Sequence, residues 1–299
     1  MCHKLARRRR RTAVTASILS AAAATLASTA PACANDAWPS TVNARYRLKF
    51  QGIEVGKSDI QSEATATGYK MSGTSKLSVL LGAFKVQTSG NATGTLGKTA
   101  SGTGLRTNVP SPAPKTYAFD WKGGKKSGKI HMAFDGPTAN PTAVEPPIEP
   151  HPDRVPLKDE HRRNVYDPIS AIMMLTRSDG KPCDKKVPVF DGKHRFDIAF
   201  SPKRQQPIPP DAKGGNSAAP EMGVVCRVTY TPVAGHKLKA ETDSFASNKD
   251  IEVLLRRVPG TDLMIPHTVT IPTGWGTATM VAERIEVTGA KIGKVAWNN

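Results

Sequence analysis

Val42-Asn43-Ala44-Arg45-Tyr46-Arg47-Leu48-Lys49-Phe50 decides the architecture: an apolar side chain stands at every second position and polar or charged ones fill the gaps. A period of two is the pattern of a strand buried on one face only. Gly52 and Gly56 then bracket a turn, and Ser58–Ala66 returns antiparallel. Short stretches of the same kind follow at Tyr69–Ser75, Lys85–Thr93, Thr99–Val109, Thr116–Trp121 and Lys129–Phe134, each bounded by Gly, Pro or Asn. They return at Lys186–Phe190, Arg195–Phe200, Gly223–Thr231, Lys237–Thr242, Ile251–Val258, Leu263–Ile271, Thr277–Thr288 and Ala290–Trp297. Many short strands separated by turns predict a mainly β protein, a curved antiparallel sheet forming an open or half-closed barrel. Lys122-Gly123-Gly124-Lys125-Lys126 and Asp191-Gly192-Lys193-His194 read as hairpin tips.

Two segments carry helical spacing and predict one or two short covering helices. Leu77, Leu80, Leu81 and Phe84 fall at i, i+3, i+4 and i+7, which makes one apolar face and a candidate cavity lid. Asp167-Pro168 offers an N-cap followed by Pro at the first helical position, and the helix should run through Ile169–Leu175 and stop at Ser178-Asp179-Gly180. Two further segments, 136–163 and 202–220, are rich in proline and poor in apolar pattern, so both are expected to be flexible insertions. The remainder, 35–299, is expected to form a single β-rich domain whose one sheet is threaded by both halves.

Residues 1–34 read as a secretory signal. Arg7–Arg11 is a positive n-region, Ala13–Ala27 an apolar stretch of about 15 residues, and Ala32-Cys33-Ala34 a small-residue exit. That stretch is shorter than the roughly 20 residues a spanning helix needs, so the chain is not expected to be an integral membrane protein. Cleavage near Ala34 and a periplasmic location follow as expectations, with a lipoprotein modified at Cys33 as the alternative. The chain holds 42 basic against 25 acidic residues, a net charge of +17, and losing Lys4 and Arg7–Arg11 leaves it strongly basic. Outside the cytoplasm such a balance favours lipid headgroups, lipoproteins or anionic envelope glycolipids over nucleic acid. Cys2 and Cys33 leave with the signal, and the remaining pair, Cys183 and Cys226, reads as a disulfide in an exported chain.

The chemistry inventory is short. The sequence holds no G-x-S-x-G elbow, no H-E-x-x-H, no Walker A and no complete G-x-G-x-x-G, because Gly102-Thr103-Gly104 is followed by Thr107. Ser178-Asp179-Gly180-Lys181 has Ser-x-x-Lys spacing but falls at a helix end, where a turn is the plain reading. His131, His151, His161, His194, His236 and His267 share no close i, i+2 or i+4 spacing. We therefore assign no catalytic, cofactor-binding or metal-ligating residue.

Tyr46-Arg47-Leu48-Lys49-Phe50-Gln51-Gly52-Ile53-Glu54-Val55-Gly56, Asp167-Pro168-Ile169-Ser170-Ala171, Phe190-Asp191-Gly192-Lys193, Cys226 and Ile265-Pro266 together resemble the bacterial envelope family labelled domain of unknown function 3108. The resemblance covers most of residues 42–288 outside the Pro-rich segments. It implies an exported β-rich protein, similar in outline to lipoprotein-localisation carriers, whose curved sheet wraps an apolar cavity, and it supplies no catalytic residues. The leading expectation is a non-enzymatic periplasmic binding or carrier-like protein for an apolar or amphipathic envelope component. The alternative is a structural or interaction protein supporting envelope integrity without a small-molecule ligand, and a hydrolase built from distant carboxylates is a third reading.

Overall fold

The structure is a computed structural model describing residues 38–79, 84–97, 110–178, 180–209, 221–238, 240–290 and 292–298. The expected signal at 1–34, the strand at Thr99–Val109, and Leu80 and Leu81 lie outside those residues.

Two antiparallel meanders build one sheet. The first comprises β1 (Thr41–Phe50), β2 (Ile53–Ala64), β3 (Gly68–Val79), β4 (Phe84–Gly97), β5 (Ser111–Gly123), β6 (Lys126–Asp135) and β7 (Thr138–Glu145). The second comprises β8 (Lys185–Phe190), β9 (Arg195–Pro207), β10 (Met222–Ala234), β11 (Glu252–Arg257), β12 (Met264–Thr273), β13 (Gly276–Gly289) and β14 (Gly293–Asn298). β1 pairs with β13, so thirteen strands run unbroken in the order β7-β6-β5-β4-β3-β2-β1-β13-β12-β11-β10-β9-β8. β12 bonds to the first half of β13, at 276–281, and β14 takes over the second half, at 284–289. The curved antiparallel sheet expected from the alternation is therefore present, and it closes further than half-way.

Closure comes from the connection between β7 and β8. Arg163 bridges Thr138 on β7, and Asn164 N–H donates to the Pro137 carbonyl at 2.8 Å. Two residues on, Tyr166 bridges Val189 on β8, with N–H bonds of 2.9 Å to Pro188 and back from Phe190. Short extended backbone thus bridges both sheet edges at one point each, where they would otherwise be open templates for pairing. Beneath this strap Phe190 is fully buried with Ala92, Tyr117, Met132, Ala139 and Val165, drawing side chains from both ends of the sheet into one cluster.

Residues 136–163, expected to be a flexible insertion, contribute a strand to the sheet. Thr138–Glu145 pairs with β6, and Pro141 sits where the register shifts, at an edge strand that can spare its missing N–H. Further on, 153–155 bonds to 235–238 through backbone groups of Val155, Gly235, Asp153 and Leu238. In the second Pro-rich stretch, β9 continues to Pro207 opposite Met222, and Ile208 is buried against Val225 and Leu254. Composition missed 138–145 and 202–208 because each finds its partner elsewhere in the chain, and the rest of the second expected insertion, 210–220, lies outside the described residues.

Three local readings also change. The β1–β2 turn is the pair Gln51-Gly52, both at positive φ (50° and 80°), the geometry of a tight hairpin. Gly56 lies inside β2, where an added Cβ would run into the Lys76 carbonyl. The expected strand at Lys237–Thr242 gives way to helix α2 (Ala240–Ser247), seated on β10 through the Phe245 ring 5.2 Å from Tyr230.

Candidate functional site: an apolar cavity beside the internal helix

Helix α1 (Pro168–Thr176) forms where the N-cap signal stands. The Asp167 carboxylate accepts from the N–H groups of Ile169 (3.0 Å) and Ser170 (2.9 Å), satisfying two of the donors a helix start leaves open. The chain leaves the helix at Arg177, in extended backbone. α1 packs against β3, β4, β5, β8 and β12, strands from both meanders, so it lies within the barrel. The Tyr69 hydroxyl meets Ser170 Oγ at 2.6 Å, and Arg177 donates to Ser111 at 2.8 Å, pinning both ends of the helix to the first meander.

Asp167 is fully buried, and one of its oxygens has no hydrogen-bond partner. Desolvation by that burial raises its pKa to about 6, against the lowering pull of Ser170 and the backbone N–H groups. Burial also pushes up the phenols of Tyr46, Tyr69 and Tyr117, which stay neutral throughout the physiological range.

Between α1 and the wall lies a cavity of about 390 Å3. The inward face of each strand supplies alternate residues: Val42, Ala44 and Tyr46 from β1, Phe196, Ile198 and Phe200 from β9, Val253 and Leu255 from β11. Ala171, Ile172 and Leu175 close it from the helix side, and Ile172 remains 37% exposed. Trp38 lines it before β1, held by its indole N–H to the Pro110 carbonyl at 3.0 Å. The few polar groups of the lining are mostly engaged already: Thr176 Oγ1 donates to the helix carbonyls of Ile172 and Met173, and the Tyr46 hydroxyl to the Pro266 carbonyl. Such a wall favours hydrocarbon and offers little to a polar headgroup. Its volume falls near the low end of small-molecule sites, which span roughly 300–1,000 Å3.

The residues singled out by sequence are distributed unevenly around this cavity. Cys183, just before β8, and Cys226, in β10, are joined with their Cα atoms 5.3 Å apart, buried beside Val253, Leu255 and Met264. The expected lid is corrected: Leu77 belongs to β3, opposite Val86, and Phe84 opens β4. The i, i+3, i+4, i+7 spacing coincides there with the approach to a hairpin, and strand pairing with β2 and β4 overrides it. Sequence reasoning recognised α1 and left its cavity-facing side chains unassigned, though Ile172 and Leu175 follow directly from helical spacing. Among the described residues no group of three or more His, Cys, Asp or Glu side chains gathers as a metal site would require.

No curated protein matches the chain. A crystal structure described as a beta-barrel-like protein of domain of unknown function DUF1849 from Brucella abortus is similar over 84% of this chain and 99% of that one, at 12% identity and a TM-score of 0.49. The family described as Protein of unknown function (DUF3108) matches residues 45–283, from β1 into β13, and the chain belongs to that family.

Proposed function

We propose that this protein is a non-enzymatic carrier or binding protein that sequesters the apolar part of an amphipathic envelope component. The cavity carries the proposal: about 390 Å3 walled almost wholly by hydrocarbon, beside an internal helix that leaves Ile172 partly accessible. An acyl chain burying a few hundred Å2 there gains several kcal/mol at about 25 cal/mol per Å2, enough for carriage without covalent chemistry. A lining with so few free polar groups leaves the headgroup at the mouth, in water. In this reading residues 1–34 are the export signal, cleaved near Ala34, and the protein works in the periplasm.

The test is native mass spectrometry with lipid extraction on protein purified from the periplasm, comparing wild type with Ile172→Arg. A half-exposed side chain tolerates the guanidinium in folding, while the cavity then holds a charge that an acyl tail rejects. A bound amphiphile in the wild type, lost from the variant, supports carriage. A clean apo mass in both would favour the structural or interaction protein instead.

A further inference from the structure

Register places three hairpin tips of the sheet on one rim. Val269, Met280, Leu48, Gly56, Leu77, Val86 and Gly123 follow one another across β12, β13, β1, β2, β3, β4 and β5 as successive pairs. The β12–β13, β1–β2 and β5–β6 tips beyond that row project from the same end of the barrel. Two of those tips touch directly: Gln51 N–H donates to the Thr277 carbonyl at 2.9 Å, and the Gln51 side chain packs over Gly276. Together they expose Trp275 (91%), Ile53 (71%) and Phe50 (36%). A tryptophan this exposed at a hairpin tip adds nothing to the core, and three large apolar groups in one place are a patch with a use.

The same rim is basic. Lys49 stands before the β1–β2 tip, Lys85 follows the start of β4, and Lys122, Lys125 and Lys126 surround the β5–β6 turn, with the last four exposed. Glu54, across from Lys49, opposes them on these tips, and the exposed Asp250 does so beside the β12–β13 tip, where Asn248 donates to the Pro272 carbonyl. An exposed indole beside Ile53 and Phe50, on a barrel end that carries lysines on a second tip several strands away, matches an anionic bilayer: the ring and Ile53 enter the headgroup boundary and the lysines meet lipid phosphates.

We propose that this rim is a docking surface for an anionic membrane, entered tip-first by Trp275, Ile53 and Phe50 and held by Lys122, Lys125 and Lys126. The docking residues lie on tips that the cavity lining does not include, so the surface stands whether or not the cavity carries cargo. It brings the barrel end-on to the lipid. Binding driven by both apolar insertion and charge falls with salt but does not vanish.

Sedimentation of the purified protein with phosphatidylcholine vesicles, with and without phosphatidylglycerol, tests this. The wild type should bind the phosphatidylglycerol vesicles, and Ile53→Ser combined with Trp275→Ser should weaken binding about tenfold or more. Lys122→Ala with Lys125→Ala and Lys126→Ala should weaken it about tenfold or more on the anionic vesicles and little on the neutral ones. Ile172→Arg should bind vesicles as the wild type does, which separates a failure of docking from a failure of the cavity reading. Absence of wild-type binding overturns the proposal, as does binding that ignores both rim variants. A rim variant that changes the solution mass of the protein instead of its vesicle binding would assign the patch to contact between copies of the chain, and would also overturn it.

Discussion

β2 and β11 are strands of one sheet built in opposite ways. β2 buries a single side chain, Ser58, in twelve residues, whereas β11 buries Val253, Leu254, Leu255 and Arg256 in succession. The inner faces of both look onto the cavity, through Ile60 in one and Val253 and Leu255 in the other. The outer faces differ. β2 turns Lys57, Asp59, Gln61 and Glu63 toward water, while Leu254 lies under Ile208 and Val225. Arg256 is held between the Trp297 ring, 4.4 Å from its centroid, and the Glu221 carboxylate at 2.9 Å. One wall is a single layer that alternates, and the other is covered on both sides and reads as a continuous apolar run. Stability should therefore be concentrated in the second wall and tolerance to change in the first.

The largest test of that division is the disulfide, which lies wholly in the covered wall. Replacing Cys183 and Cys226 with Ala should lower unfolding free energy by about 4 kcal/mol, read from denaturant midpoints, since the bond closes a separation of 43 residues. Next, Leu255→Ala should cost about 3 kcal/mol, whereas Ile60→Ala, half-buried in the thin wall, should cost less than half of that. Equal losses would break the comparison. Asp167 probes the helix both walls share. Its folded pKa of about 6 exceeds the unfolded value of 3.8, so its contribution is full below about pH 4 and disappears as pH rises through 6. Wild type measured against Asp167→Asn should gain up to about 3 kcal/mol between pH 8 and pH 4, and parallel profiles would mean that the carboxyl is not desolvated. Smallest of all, Gln61→Ala on the outer face of β2 should change stability by no more than about 0.5 kcal/mol, and a larger loss would reveal a cover on the thin wall.

Where alternation and turn chemistry agree, the strands were legible: β1, the Lys122–Lys126 tip and the Asp191–His194 hairpin all stand where the pattern puts them. The Asp167-Pro168 cap was legible for the same reason, since a helix start satisfies its own donors locally. β7 was not, because Thr138–Glu145 has little pattern of its own and is a strand by virtue of β6 and the strap at 163–166. Nor was the lid: Leu77 and Phe84 fit a helical face equally well until pairing with β2 and β4 claims the first and pairing with β3 the second.

The cavity shows the same limit. Alternation identified which residues of β1 face inward, but whether the space behind them is filled depends on where α1 comes to rest. Local periodicity, caps and turns are properties of a few consecutive residues, and the sequence alone determined them. The closure of the barrel, the covered second wall and the rim that gathers Phe50, Ile53 and Trp275 join residues far apart in the chain. Only the tertiary structure decided those, because no local signal encodes the register of strands that meet across more than two hundred residues.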